Sequence, residues 1–130
     1  MLNYAERFYR RQFLLRKESH SAIVDSFLEK FDELLVLNNN NEIPSVNTLA
    51  DSLNMTSRYL TDALKIETGQ TAQQVIHNHL IDKAKNSLLE SSDSVASIAY
   101  ALGFAYPQYF ARLFKNKVGL TPSQYRASQH

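Results

Sequence analysis

The sequence predicts an all-α fold in which two helix-turn-helix subdomains are joined by a long linker helix. Three observations predict it. Apolar residues recur at i, i+3, i+4 and i+7 in Val95, Ile98, Ala99 and Leu102, and again in Val46, Leu49, Ala50 and Leu53, the spacing that lines one face of a helix. Each row ends at a residue suited to a left-handed turn, Gly103 or Asn54, and a second helical pattern with polar and basic residues outward follows it. Only three glycines and three prolines occur in 130 residues, and no alternating strand pattern is sustained.

Length and composition narrow the function classes. The chain is long enough for one hydrophobic core and too short for a second large domain. No run of 18 apolar residues is present, so no membrane span, no membrane partner and no cleavable leader are expected. The absence of cysteine removes disulfides and thiolate zinc sites and suits a cytoplasmic setting. A net charge of +1 conceals an uneven distribution. Residues 1–18 carry Arg7, Arg10, Arg11, Arg16 and Lys17 against Glu6 and Glu18, while residues 19–53 carry Lys30 against six acids. From Ala105 onward Arg112, Lys115, Lys117 and Arg126 meet no acid at all, so a basic face is expected there and the acidic stretch is expected to turn away from any polyanion.

Taken in order, residues 1–20 form a basic, aromatic segment in which Tyr4, Phe8 and Leu15 can share a helical face, read as a solvated helix or linker remnant. Residues 21–70 are expected to form the first subdomain. Ile23, Phe27, Phe31 and Leu34 mark an opening helix with Asp25, Glu29, Asp32 and Glu33 outside, and the asparagine run Asn38 to Asn41 ends it. Ser45 is the expected N-cap of the next helix, and Leu60, Ala63 and Leu64 form the inner face of the one after, closed by Gly69. Residues 71–90 are the linker; within them Thr71 to Leu89, with Ile76, Leu80, Ala84 and Leu88 on one row and neither glycine nor proline, reads as a single helix of about 19 residues, about 28 Å long at 1.5 Å per residue. Residues 91–130 are the second subdomain, ending in a short helix with Pro122 at its first position.

The two subdomains are one unit written twice. Val46, Leu49, Ala50, Leu53 and Asn54 match Val95, Ile98, Ala99, Leu102 and Gly103 at an offset of 49. Leu60, Ala63, Leu64, Lys65, Gly69, Thr71 and Gln74 match Phe110, Leu113, Phe114, Lys115, Gly119, Thr121 and Gln124 at an offset of 50. One residue inserted at the start of the second copy's outer helix accounts for the change. A helix-turn-helix of this kind places its second helix in the major groove of DNA, and the linker length lies near the roughly 34 Å between successive groove faces. The architecture is therefore a homeodomain-like tandem.

Gly103-Phe104, Tyr109-Phe110, Phe114-Lys115, Gly119, Thr121-Pro122 and Tyr125-Arg126 resemble the C-terminal signature of AraC/XylS-type transcriptional regulators. Ile98-Ala99, Leu49-Ala50 and the segment from Lys65 to Gly69 fit the same domain, so the resemblance covers about residues 22–127. It implies a bacterial, cytoplasmic and nucleoid-associated DNA-binding domain whose partner is double-stranded promoter or operator DNA, with RNA polymerase a candidate partner. It implies also that the effector-binding or dimerisation domain carried by many members lies outside this chain. Tyr106, standing where a capping residue is usual, and Asp62, an acid on an outward face, depart from the pattern.

Gln108 and Arg112 are four apart and share a face; glutamine pairs with adenine and arginine with guanine in the major groove. With Tyr109 they are the candidate base contacts of the second unit, and Arg58, Thr61 and Asp62 those of the first, Asp62 as an acceptor from a cytosine amino group. Lys65, Lys115 and Lys117, with the helix-start hydroxyls of Ser45 and Thr56, are candidate phosphate contacts. The window from Asn54 to Gly69 balances Arg58 and Lys65 against Asp62 and Glu67, so the second unit is expected to anchor and the first to select. Phe104, Phe110, Leu113 and Phe114 are assigned to the core, with Tyr125 beside them. His77 and His79 point about 200° apart on one helix and cannot share a metal. No catalytic, metal or cofactor constellation is expected. The alternative is a helical interaction module binding an acidic partner.

Overall fold

A computed structural model describes residues 22–38 and 42–129, and among these every regular element is helical. α1 covers residues 22–37. It is followed by α2 (Val46–Ser52), α3 (Ser57–Thr68), α4 (Ala72–Glu90), α5 (Val95–Ala101), α6 (Pro107–Val118) and α7 (Pro122–Gln129). The basic segment 1–20 and most of the asparagine run lie outside the described residues.

The caps explain why these helices start and stop where they do. Ser45 accepts from the Thr48 N–H, Thr56 from Tyr59 and Ser94 from Ser97, each satisfying a donor that the first helical turn leaves unpaired. α2 and α5 end in the same closure. Met55 N–H donates to Ala50 O (2.9 Å) and Asn54 N–H to Asp51 O (3.0 Å); Phe104 N–H donates to Ala99 O and Gly103 N–H to Tyr100 O, both at 3.0 Å. This paired closure requires a left-handed residue just past the cap, and Asn54 (φ 59°) and Gly103 (φ 95°) supply it. The duplication persists at the next corner. Gly69 and Gly119 end α3 and α6 in left-handed geometry, and Thr71 with Gln74, like Thr121 with Gln124, exchange reciprocal side-chain-to-backbone bonds of 2.9 and 3.1 Å.

Caps fix the register of the repeat more closely than the sequence does. The N-caps of the outer helices, Thr56 and Tyr106, are 50 apart, whereas Met55 and Phe104, which make equivalent turn bonds, are 49 apart. The additional residue is thus Ala105, in the turn before the cap rather than in the start of the helix. As the sequence anticipates, Tyr106 makes no side-chain cap, and Pro107 opens α6 with its φ already fixed for a helix.

α4 is the spine. It packs against α3 of the first unit and against α5, α6 and α7 of the second, and its row Ile76, Leu80, Ala84 and Leu88 is buried throughout. Phe27, Phe31, Leu49, Leu60 and Leu64 complete the core at the first unit, and Ile98, Phe110 and Phe114 at the second. The aromatic centre of the second unit is a chain of ring contacts from Phe104 to Phe110 (5.4 Å), Phe114 (5.8 Å) and Tyr125 (5.5 Å). Phe104 and Leu113 are only partly buried, packing on the core from its edge. Leu35 rather than Leu34 is the fully inward residue of α1, because the buried row steps by four from Phe27 through Phe31. Asp32, read as an outward acid, turns toward α4 and pairs with His79 Nε2 (2.9 Å) and Lys83 Nζ (3.3 Å).

Candidate nucleic-acid interface

Burying Leu60 and Leu64 forces the opposite side of α3 outward, and burying Phe110 and Phe114 does the same for α6. The exposed side of α3 carries Arg58, Tyr59, Asp62 and Lys65, with Thr61 half-buried at its margin. That of α6 carries Gln108, Tyr109, Arg112, Lys115 and Lys117, all exposed. The sequence-assigned contacts thus divide into two clusters, one per unit, each on a helix held by the spine. Ser45 and Thr56 stand at the starts of α2 and α3 and are exposed.

Within each cluster the side chains are already organised. Arg58 Nε lies 3.8 Å from Asp62 Oδ2, one turn apart. The Arg112 guanidinium lies 5.9 Å from the centre of the Tyr109 ring, a cation–π contact along one face of α6. Ser57 Oγ donates to Asn47 Oδ1 and ties the start of α3 to α2. Ser45 Oγ also lies 2.9 Å from Thr48 Oγ1.

Two residues behave differently from the sequence reading. Arg126 was counted with the basic face, yet its Nε donates to Leu88 O (2.9 Å) and its Nη2 to Ser91 O (3.2 Å), closing the carbonyl end of α4. A count of cations cannot tell a cap from a contact. Tyr59, absent from the candidates, is 61% exposed on α3 at the place that Tyr109, 63% exposed, occupies on α6. The offset of 50 is the signal that finds it. His77 and His79 diverge as expected: His79 meets Asp32, while His77 lies beside Gln73 (3.0 Å) in a cleft shared with Ile43, Phe104 and Tyr109 under the start of α6. Burial first, and the charge of Lys117 second, hold the His77 imidazole below its ordinary value.

Among the described residues no group of three acidic or histidine side chains converges on a metal-sized site, and no helix is long and apolar enough to cross a membrane. Two outward helices, each presented on a helix-turn-helix and both anchored to one spine, define the class: a tandem helix-turn-helix domain of the DNA-binding kind.

The comparisons with known proteins make this specific. A family model described as "Helix-turn-helix domain" matches residues 49–128. The chain is 35% identical over 85 residues to the HTH-type transcriptional activator RhaS of Escherichia fergusonii, an alignment covering 65% of this chain and 31% of that protein. The crystal structure of the DNA-binding domain of AdpA, a global transcriptional factor, in complex with a target DNA superposes with a TM-score of 0.68 at 26% identity, covering 84% of this chain and 90% of that one. The C-terminal domain of AraT, a response regulator from Geobacillus stearothermophilus, shares the fold with a TM-score of 0.69 at 23% identity, covering 84% of each chain. The chain belongs to the AraC-type helix-turn-helix family of transcriptional regulators. It spans between 31% and 55% of the length of the curated relatives it matches.

Proposed function

We propose that this chain binds double-stranded operator DNA sequence-specifically, with α3 and α6 in two adjacent major-groove segments, and that it regulates transcription by placement and recruitment, with no chemistry of its own. The observation that carries this reading is the repeated outward face: two helices of 12 residues, equivalent from cap to cap, each with a buried apolar side and an exposed polar side. The 19 residues of α4 span about 28 Å at 1.5 Å per residue, close to one turn of the duplex.

In this reading Gln108, Tyr109 and Arg112 contact bases from α6, and Arg58 and Thr61 contact them from α3, with Asp62 beside Arg58 on the same face. Lys65, Lys115 and Lys117 contact phosphates, which position the protein without reading sequence. Thr56 suits a phosphate contact chemically: its oxygen already accepts from Tyr59 N–H, leaving the hydroxyl hydrogen free to donate. Ser45 caps α2 in the same manner and shares a hydrogen bond with Thr48 Oγ1, so it can donate to a phosphate when Thr48 supplies the proton of that pair. The second unit anchors, since its face carries three cations and no acid, and the first selects. RNA polymerase is the proposed recruited partner, an effector or dimerisation domain would come from outside the described segment, and the bacterial cytoplasm, at the nucleoid, is the setting.

Selection of bound duplexes from a random pool tests the reading. The expected result is a consensus of two half-sites separated by about one helical turn. Absence of binding to any duplex at low salt, in a salt-titrated mobility shift, would reject it in favour of a module that binds an acidic protein.

A further inference from the structure

The two outer helices are equivalent from cap to cap, but their reading pairs are inverted. Thr56 and Gly69 bound α3; Tyr106 and Gly119 bound α6, each exactly 50 residues later. At that offset Tyr59 meets Tyr109 and Lys65 meets Lys115, whereas Arg58 meets Gln108 and Asp62 meets Arg112. The arginine therefore sits at the second position of α3 and at the sixth position of α6. Four residues along a helix is about one turn, roughly 6 Å at 1.5 Å per residue, or between one and two base-pair steps of about 3.4 Å.

Each arginine is also held by a different neighbour. Arg112 lies against the face of Tyr109. Arg58 Nε lies 3.8 Å from Asp62 Oδ2, and a guanidinium met on its Nε side keeps both terminal nitrogens available as the fork that pairs with guanine O6 and N7. Arg58 is 92% exposed, so in the free protein this ion pair adds little to stability. On the DNA the same carboxylate, one turn away, would attract the guanidinium from one side and so bias the angle at which it meets a base.

From this, resting on the DNA-reading assignment above, we propose that Asp62 is a positioning residue acting on the DNA through Arg58. The operator then consists of two unlike half-sites, with guanine displaced by one or two base pairs between them. The second half-site is read by Gln108 and Arg112, the first by an arginine one turn nearer its helix start. Repetition of the protein unit does not produce repetition in the DNA.

The test is duplex selection with the full chain, followed by affinity measurements on the selected sequence and on random duplex. The unaltered chain is expected to select half-sites whose guanines fall out of register. Asp62→Ala should lose about tenfold in preference for guanine in the first half-site, keep the second half-site intact, and bind random duplex more tightly because one negative charge is gone. In an Arg58→Ala background Asp62→Ala should change no base preference further, since its effect passes through the missing guanidinium. The pair Arg58→Gln with Asp62→Arg, which copies the second reader onto the first, should move the first guanine into the second half-site's register. Additive losses in the Arg58 and Asp62 variants would overturn the proposal, because Asp62 would then read a base itself. Half-sites with guanine in the same register would overturn it too. A pool yielding no consensus for the unaltered chain would instead remove the DNA-reading assignment on which the proposal stands.

Discussion

Arg126 Nε donates to Leu88 O at 2.9 Å across the second unit, so the last helix of the domain closes the end of its spine. A second bond, from Nη2 to Ser91 O, spans the turn out of α4. Lys85 of α4 lies 5.9 Å from the ring of Tyr125, adjacent to Arg126, and fastens the same junction. Arg126→Ala removes both charged donors and leaves carbonyls of a helix end without that partner. A loss of about 1.5 to 3 kcal/mol in unfolding free energy is expected, read from the denaturant midpoint. The slope of log affinity against log salt should not change, and a fall in that slope by about one would instead mark Arg126 as a phosphate contact.

Arg112→Ala should weaken binding to the selected operator by about 1 to 3 kcal/mol and relax preference at one base position. Lys115→Ala should weaken operator and random duplex alike and lower the salt slope by about one. Mobility shifts at several salt concentrations measure both. Equal loss on specific and random DNA in the Arg112 variant would reassign that residue to the backbone.

Gly103 and Gly119 both adopt left-handed φ, at 95° and 92°, but only one of them is crowded. A Cβ at Gly103 would lie 3.0 Å from Ile43 Cγ1 and 3.1 Å from Leu35 Cδ1, while a Cβ at Gly119 would meet nothing within 4 Å. Gly119→Ala should cost about 1 to 2 kcal/mol from backbone strain alone, and Gly103→Ala distinctly more. Comparative thermal melts decide it; equal losses would mean that Leu35 and Ile43 move aside freely.

Because burial and Lys117 hold the His77 imidazole below its ordinary value of 6.5, the unfolded chain takes up its proton at a higher pH than the folded one. Stability contributed by neutral His77 is present above pH 6.5 and is lost progressively as the pH falls below it. His77→Gln should flatten this part of the melting-temperature profile between about pH 7.5 and 5.5. An unchanged profile in the variant would place the pH dependence elsewhere.

The fold was legible because its signals are local and repeated. Val46 to Leu53 and Val95 to Leu102 state the same helical period twice, and Asn54, Gly69, Gly103 and Gly119 stand where the backbone must turn left-handed. The outward faces followed from the inward ones. What composition could not convey was the direction of a long side chain: Arg126 looks like any other cation until α7 folds back on α4, and Asp32 looks solvent-facing until His79 and Lys83 come within reach of it. Both depend on contacts between residues more than 35 positions apart. The place of Ala105 was hidden for another reason. A one-residue insertion can be absorbed anywhere between two matched anchors, and only the turn bonds of Met55 and Phe104 locate it.

The reciprocal bonds of Thr71 with Gln74 and of Thr121 with Gln124 have a consequence for how such a protein can be extended. The same corner launches a rod of 19 residues after one reader and a stub of 8 after the other. Because one corner chemistry serves both helices, grafting the sequence of α4 after Thr121 offers a route to a third reader in series, at the cost of the contacts that Tyr125 and Arg126 make in α7.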